Sequence, residues 1–196
     1  MITFDELRKL MASARTYRRF DTSRPVSAGQ LHQLVEVTRY CPSGRNLQPL
    51  RYRAVTDSGE LKSVFDTLKW AGYYTDWSGP AEYERPTAYL IQCLDTRLTQ
   101  NQMCDDGLQL ESITLAAASM HLGTCIIKSF NPATVSSALR LPDYIKPLHV
   151  VALGYPTEQV AIVDTDGSLE ADIKYYHDDN GTHCVPKRPV NELIIQ

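Results

Sequence analysis

Two prolines bound the segment Cys41-Pro42-Ser43-Gly44-Arg45-Asn46-Leu47-Gln48-Pro49, and this segment limits the fold more than any other part of the chain. Because a residue before proline is pushed out of the helical region, a helix is expected to end at the Cys41-Pro42 junction, and a strand pattern follows the loop from Leu50. Between the prolines lie short side chains that donate and accept hydrogen bonds. The segment is therefore either an ordinary helix-to-strand turn or a loop that suits a planar, heteroatom-rich ligand.

Helical and strand patterns occur on both sides of this loop, and the length of the chain suits a single domain over residues 1–196. Capping boxes at Thr3–Glu6 and Ser27–Gln30 each predict the start of a helix. Further helices are predicted at 57–69, at 105–122 and from Asn131 onward. Strands are predicted at 50–55, 87–94, 124–127 and 149–153, and a hairpin around the turn Asn180-Gly181.

The composition is that of an ordinary globular protein. Its 196 residues are 43% hydrophobic and 22% charged, enough to bury a core without a metal or a disulfide. A net charge of -3 gives no reason to expect nucleic acid as a partner. Five cysteines without a Cys-x-x-Cys spacing predict reduced thiols and a cytoplasmic location. The N-terminus is acidic and has no apolar signal region, and no apolar run approaches ~20 residues, so neither secretion nor a membrane span is predicted.

Cationic side chains nevertheless cluster near both ends of this acidic chain. Arg15, Arg18 and Arg19 follow the first predicted helix, and Lys187 and Arg188 stand between two prolines close to the C-terminus. Solvated charges at a helix end and in an exposed tail would explain both groups. Two cationic groups that bind a phosphate would explain them equally well, since a phosphate monoester carries about -1.5 to -2 charges.

The most aromatic stretch of the chain, residues 70–83, has no clear helical or strand period. It includes Tyr73, Tyr74 and Trp77. One interpretation is the surface packing of a long loop. The other is a lid, because long ordered loops often cover functional sites and these rings could stack on an aromatic substrate.

Several common site patterns are absent from the sequence. No Gly-x-Gly-x-x-Gly motif follows a strand and no phosphate-binding loop motif is present, so a dedicated dinucleotide site is not predicted. The five histidines lack metal-ligand spacing and are predicted to be structural or on the surface, with no metal site. Ser43 has no nucleophile-elbow context, which argues against hydrolysis.

Two short patterns, Arg15-Thr16-x-Arg18-x-Phe20 and Pro42-Ser43-x-x-Asn46-x-Gln48-Pro49, resemble motifs of the nitroreductase-like flavoproteins. That family has Arg-Ser-x-Arg-x-Phe and Pro-Ser-x-x-Asn-x-Gln-Pro at the corresponding places. The later elements Lys128-Ser129-Phe130, Gly154-Tyr155-Pro156 and Lys187-Arg188 are similar to family elements in the same order. The resemblance implies a nitroreductase-like α+β fold, with a central mixed sheet flanked by helices, and an obligate homodimer with FMN at each subunit junction.

The resemblance also implies roles for individual residues. Arg15 and Thr16 would face the FMN phosphate and ribityl chain, and Arg18 would face the pyrimidine edge of the ring. The backbone amide of Ser129 would meet flavin N5, and Lys187 and Arg188 would lie near the phosphate. The residues that would lie against the FMN of the other subunit are Pro42, Ser43, Gly44, Asn46 and Gln48. The small side chains of the 105–122 helix suit a dimer core, although a helix buried within one subunit fits them equally well.

The implied activity is an FMN-dependent oxidoreductase that takes hydride from NADH or NADPH and reduces a nitroaromatic, a quinone or a similar small-molecule acceptor. No side chain need act as nucleophile or acid, because the chemistry occurs at flavin N5. Without a separate dinucleotide site, donor and acceptor must use one flavin face in turn, which predicts a ping-pong mechanism. A non-catalytic FMN carrier and a flavin-cleaving relative remain alternatives. A flavin-dependent dehalogenase is a third, although Glu84 follows Glu82-Tyr83 where dehalogenases carry a lysine.

Overall fold

The computed structural model describes residues 1–168 and 170–195 of the chain. Its α-helices are α1 (Phe4–Ser13), α2 (Ala28–Glu36), α3 (Ser58–Phe65), α4 (Asp105–Ser119) and α5 (Pro132–Ala138). Its strands are β1 (Leu50–Val55), β2 (Ala88–Asp95), β3 (Gly123–Ile127), β4 (Ile145–Gly154), β5 (Val160–Asp164), β6 (Tyr176–His177) and β7 (His183–Lys187). The predicted α+β class is confirmed.

A four-stranded sheet in the order β1-β2-β4-β3 forms the centre of the fold. All neighbouring strands in it are antiparallel, and a parallel bridge between Thr16 and Thr124 adds the segment after α1 to the edge formed by β3. Every residue of β2 is buried because the sheet is covered on both faces. Since successive side chains of a strand point to opposite faces, Tyr89 and Ile91 belong to one core cluster and Ala88 and Leu90 to the other.

A smaller sheet in the order β5-β7-β6 follows in the C-terminal part of the chain. Strands β5 and β7 are parallel, and β6 and β7 are antiparallel. The predicted hairpin is therefore present, but its first strand is reduced to the pair Tyr176 and His177, which face Cys184 and His183. The Asp178 side chain accepts from the backbone amides of Asn180 and Thr182 and so holds the turn closed.

The predicted helix starts are confirmed more closely than the predicted ends. Both capping boxes are present, with Thr3 and Ser27 accepting from the backbone of Glu6 and Gln30. The helices predicted at 57–69 and 105–122 end earlier, at Phe65 and Ser119. Helix α2 changes into a 3-10 turn, Val37–Tyr40, before the first proline of the loop.

Helix α1 has an apolar stripe that the single chain does not cover. All ten of its residues are described and none is buried. Phe4 is 79% exposed and Met11 is 44% exposed. Among the helices of residues 1–168 and 170–195, none is long and apolar enough to cross a membrane.

Candidate functional site

The proline-bounded loop is anchored to the first turn of α4 by Asp105. The buried Asp105 carboxylate accepts hydrogen bonds from the Ser43 hydroxyl, at 2.6 Å, and from the Gly44 amide, at 2.9 Å. The Ser43 oxygen in turn accepts from the Gln48 amide at 2.9 Å. The serine and the carboxylate therefore fix the path of the loop from inside.

Three residues of this loop have positive φ angles: Arg45 at 52°, Asn46 at 55° and Gln48 at 48°. Such angles are uncommon for residues other than glycine, and strain of this kind persists where the surroundings enforce it. Gly44 lies directly against Met103, where an added Cβ would overlap the methionine side chain. Asn46 and Gln48 are exposed and line a cavity of about 500 Å³, here named the loop cavity.

A second cavity, of about 230 Å³, brings together Thr16, Arg18 and Ser129, although they lie far apart in the sequence. We name this second cavity the basic cavity. It is also lined by Lys69, Lys128 and Tyr175. Thr16 reaches it through the bridge to β3, and Ser129 through the turn that follows β3. The Ser129 carbonyl accepts from the Lys69 amide at 2.8 Å. The Ser129 amide donates to no group in the described part of the chain.

The arginines near the basic cavity keep unused donors. The Nε atoms of Arg15 and Arg18 are buried and have no hydrogen-bond partner among the residues that the structure describes. Arg15 Nη2 donates to the Met11 carbonyl at 2.8 Å, which holds the guanidinium at the end of α1. Because a buried donor without a partner is costly, these atoms are free to donate to a polar group other than those of the described residues.

A third cavity, of about 380 Å³, is lined by Tyr73, Tyr74 and Trp77 together with Arg18 and Arg19. We name it the aromatic cavity. The Tyr74 ring stacks on His177, with 5.2 Å between ring centroids, and meets Trp77 edge-on at 6.3 Å. The Arg19 guanidinium lies 5.6 Å from the Trp77 ring. Arg18 lines both this cavity and the basic cavity, so the two are neighbours.

His183 is buried at the wall of the aromatic cavity, with 2% of its surface exposed. Its Nε2 atom lies 3.2 Å from Arg18 Nη1, and its Nδ1 atom lies 2.9 Å from the Tyr74 hydroxyl. Burial, and then the positive charge of Arg18, lower the pKa of His183 to about 4. The imidazole is therefore neutral at physiological pH.

Glu158 fixes the backbone on which the two cavity arginines stand. Its Oε1 atom accepts from the amides of both Arg18 and Arg19, and the second of these bonds is 3.2 Å long. The Arg19 guanidinium also lies 3.5 Å from the Glu84 carboxylate. Within the described ranges, no group of three or more His, Cys, Asp or Glu side chains could hold a metal ion.

A model described as the nitroreductase family matches residues 11–93 and 95–155 of the chain. The chain belongs to the nitroreductase family. A curated relative named FMN reductase [NAD(P)H], from Bacillus subtilis, is 26% identical over 180 residues, which cover 80% of this chain and 68% of the relative.

Solved nitroreductase structures share the fold. The crystal structure of nitroreductase A from Vibrio parahaemolyticus is similar with a TM-score of 0.62 and 25% identity, covering 78% of this chain and 68% of that one. A nitroreductase family protein from Clostridium novyi has a TM-score of 0.65 at 17% identity, covering 76% of this chain and 84% of that one. The nitroreductase-like fold predicted from the sequence is thus confirmed.

The site residues predicted from the sequence lie in three neighbourhoods. Thr16, Arg18 and Ser129 meet at the basic cavity, and Tyr73, Tyr74 and Trp77 meet at the aromatic cavity. The loop residues Ser43, Asn46 and Gln48 line the loop cavity, and Pro42 and Gly44 flank Ser43. Among the described residues, the loop cavity and the basic cavity share no lining residue.

Lys187 is the last residue of β7 and Arg188 follows it, and neither is among the described residues that line the basic cavity. Arg188 Nη1 donates to the Ser168 carbonyl at 2.7 Å and lies 3.9 Å from the Glu192 carboxylate. Lys187 is exposed, and its carbonyl accepts from the Thr165 amide. Contact of this pair with a phosphate stays a prediction.

Sequence reasoning missed Tyr175, His183 and Glu158. All three follow residue 155, where the family match ends, and their partners Arg18 and Tyr74 lie more than 100 positions earlier. The one local signal was the Asn-Gly turn, which sets His177 opposite His183 across a hairpin. The sequence predicted that the histidines are structural or on the surface. It did not predict that His183 contacts Arg18 at the wall of a cavity.

Proposed function

We propose that this member of the nitroreductase family is an FMN-dependent oxidoreductase that takes hydride from NADH or NADPH and reduces nitroaromatic, quinone or similar acceptors. The observation that carries this proposal is the convergence of Thr16, Arg18 and Ser129 on one basic cavity. The name of the Bacillus subtilis relative, FMN reductase [NAD(P)H], supports both the cofactor and the hydride donor.

The residues present fit FMN. The buried Nε atoms of Arg15 and Arg18 and the amide of Ser129 are donors that lack a described partner, and a flavin and its phosphate are rich in acceptors. Arg15 and Thr16 would hold the phosphate and ribityl chain, and Arg18 would hold the pyrimidine edge. Lys187 and Arg188 are proposed for the phosphate by resemblance alone.

FMN, when bound, supplies the acceptance and donation of hydride. The chain's own residues bind, orient and provide charge. The Arg18 guanidinium is held by His183 and by the Tyr175 ring, 4.9 Å away, so its positive charge is fixed before any negative charge develops beside it. The Ser129 amide would donate to the ring from the turn after β3. No side chain needs to gain or lose a proton in this scheme.

The homodimer is part of the proposal, since the loop carrying Pro42, Ser43, Gly44, Asn46 and Gln48 lines a different cavity from Thr16 and Arg18. The loop would complete the flavin site of a partner subunit. The uncovered stripe of α1 and the exposed side chains Met103 and Leu108 beside the loop's anchor supply apolar surface for such a contact. All five cysteines are free, in keeping with the predicted reducing cytoplasm.

Donor and acceptor would use the same flavin face in turn, which gives ping-pong kinetics. The direct test is to release bound flavin by denaturing the purified protein, identify it, and follow NADH and NADPH oxidation with ferricyanide as acceptor. One FMN per chain and steady oxidation are expected. Bound FMN without any NADH or NADPH oxidation would instead indicate the non-catalytic carrier.

A further inference from the structure

The wall of the aromatic cavity comes from two parts of the chain. Arg18, Tyr74 and Trp77 lie within residues 11–155, which match the nitroreductase family, whereas His177 and His183 lie beyond that match. The second part contributes the groups that hold Tyr74 in place. What this cavity binds therefore depends on a segment that the family match does not include.

The hydrogen bonds in this wall have only one consistent direction. An arginine side chain can only donate, so His183 Nε2 must accept from Arg18 Nη1 across their 3.2 Å contact. A neutral imidazole that accepts at Nε2 carries its proton on Nδ1. Nδ1 therefore donates to the Tyr74 oxygen, 2.9 Å away. The Tyr74 proton cannot return to His183 and is left for a different acceptor.

The protonation states agree with this direction. The pKa of His183 is lowered to about 4 by burial and by the charges of Arg18, His177 and Arg19, so the imidazole stays neutral. Burial raises the pKa of Tyr74 above its usual 10.0, so the phenol keeps its proton. Tyr74 is thus a preset donor on the wall of a cavity.

The cavity around this donor suits a flat molecule. Its volume of about 380 Å³ falls in the range of roughly 300–1,000 Å³ that small-molecule sites have. The Tyr73 and Trp77 rings provide apolar faces, and Arg18 connects the cavity to the basic cavity proposed for FMN.

On the basis of the proposed function, we propose that Tyr74 donates a hydrogen bond to an oxygen of a planar acceptor, a quinone carbonyl or a nitro group, bound in the aromatic cavity. His183 is a positioning residue that sets the direction of this donation. Tyr74 thereby selects acceptors that present an oxygen beside an aromatic or quinoid ring.

The test compares duroquinone, which has such oxygens, with ferricyanide, which needs no ring pocket. In the FMN-loaded protein, Tyr74→Phe keeps the ring and removes the donor. The expected result is a dissociation constant for duroquinone that rises roughly fivefold to tenfold, measured without NADH or NADPH by quenching of tryptophan fluorescence. The ratio of duroquinone to ferricyanide turnover falls by a similar factor. Tyr144→Phe, which removes an exposed hydroxyl outside the cavity lining, is the matched control and leaves both values unchanged.

Two variants of His183 test whether its hydrogen bond to Tyr74, and not merely the volume of its side chain, matters for duroquinone binding. His183→Asn places an amide donor near the former Nδ1 position, and duroquinone affinity stays within about twofold of the parent value. His183→Gln places its amide near the former Nε2 position, and affinity falls as in Tyr74→Phe. Equal losses in both variants would overturn the positioning role.

The outcomes distinguish this inference from the function on which it rests. If the FMN-loaded parent oxidises NADH or NADPH with ferricyanide but Tyr74→Phe binds duroquinone as tightly as Tyr144→Phe does, the role of Tyr74 is overturned and the oxidoreductase assignment stands. If the parent oxidises neither nicotinamide with ferricyanide, both proposals fail.

Discussion

The Asp105 carboxylate accepts a hydrogen bond from the Ser43 hydroxyl at 2.6 Å, and its other oxygen accepts from the Gly44 amide. The first turn of α4 thereby holds the loop that the two prolines delimit. Ser43, which the sequence identifies as a cofactor-binding residue, uses its hydroxyl within the loop as donor to Asp105 and acceptor from Gln48.

Replacing Asp105 is expected to loosen this loop and weaken FMN binding. Asp105→Asn substitutes an amide for one of the two accepting oxygens, and hydrogen bonds to a charged group contribute about 1.5–3 kcal/mol each. We expect the FMN dissociation constant to rise tenfold or more in a fluorescence titration. Asp106→Asn, at the adjacent position, is the control and should change it little. Equal affinities in the two variants would show that the anchor does not act on the flavin site.

Arg15→Ala is expected to weaken FMN binding more than riboflavin binding. Arg15 is proposed to meet the phosphate, which riboflavin lacks, and loss of one charge-assisted hydrogen bond amounts to about 1.5–3 kcal/mol. Arg188→Ala tests the C-terminal pair in the same way, and Lys146→Ala removes an exposed cation of β4 as a control. Equal losses of affinity for both flavins would point to a general disturbance of the fold.

Local patterns in the sequence sufficed where the governing interactions are short-range. The capping boxes that begin at Thr3 and Ser27 need only four consecutive residues each, and strand β1 was predicted at its observed bounds from the alternation of its side chains. The helix predicted at 57–69 ends at Phe65, and the Lys69 amide donates to the distant Ser129 carbonyl instead of continuing the helix. Periodicity also placed an apolar stripe on α1, but it could not show that the single chain leaves this stripe uncovered.

The site itself was only partly accessible to sequence reasoning. The spacing of Thr16, Arg18 and Ser129 in the sequence does not require them to meet. Only the family resemblance predicted that they would lie at one site. The contact between Arg18 and His183 joins positions 165 apart through a segment beyond the family match, so neither periodicity nor resemblance could reveal it. Such contacts depend on where β7 lies relative to the segment that follows α1.

A charge on the exposed stripe of α1 is expected to separate the proposed dimer. Leu7 is 37% exposed in the single chain, and Leu7→Glu would bury a carboxylate in an apolar contact. Sedimentation should show a dimer for the parent and a monomer with reduced FMN content for the variant. Leu98→Glu, at another exposed leucine, should remain dimeric. A parent protein that is monomeric and keeps its FMN would contradict the shared site.

The free energy of unfolding should decrease as pH falls below 7, because the folded chain keeps the His183 imidazole uncharged. Its pKa is about 4 in the folded chain against 6.5 for a free imidazole, so the unfolded chain takes up the proton first as pH falls. The stability that the neutral imidazole contributes is fully present above pH 6.5 and is lost as pH falls from 6.5 to 4, about 3 kcal/mol in free energy of unfolding. The groups that face His183 are Arg18, Arg19, Tyr74, Tyr175 and His177.

Urea unfolding of the parent and of His183→Gln at several pH values measures this contribution. The difference in stability between the two proteins should shrink as pH falls through this range, because glutamine does not titrate. His121→Asn replaces an exposed histidine at a positive φ of 59°, which asparagine tolerates, and should show a constant difference from the parent. A constant difference for His183→Gln as well would rule out the buried neutral imidazole as the cause.

The most direct test of the proposed oxidoreductase is an anaerobic titration of the FMN-loaded protein with NADH or NADPH, without any acceptor. We expect the visible flavin absorbance to disappear at one equivalent per chain, to stay low, and to return when duroquinone is added after removal of the nicotinamide. This order requires that the hydride donor leave before the acceptor reacts. Flavin that keeps its absorbance under excess NADH and NADPH, or that is reduced only when duroquinone is also present, would contradict the proposed function.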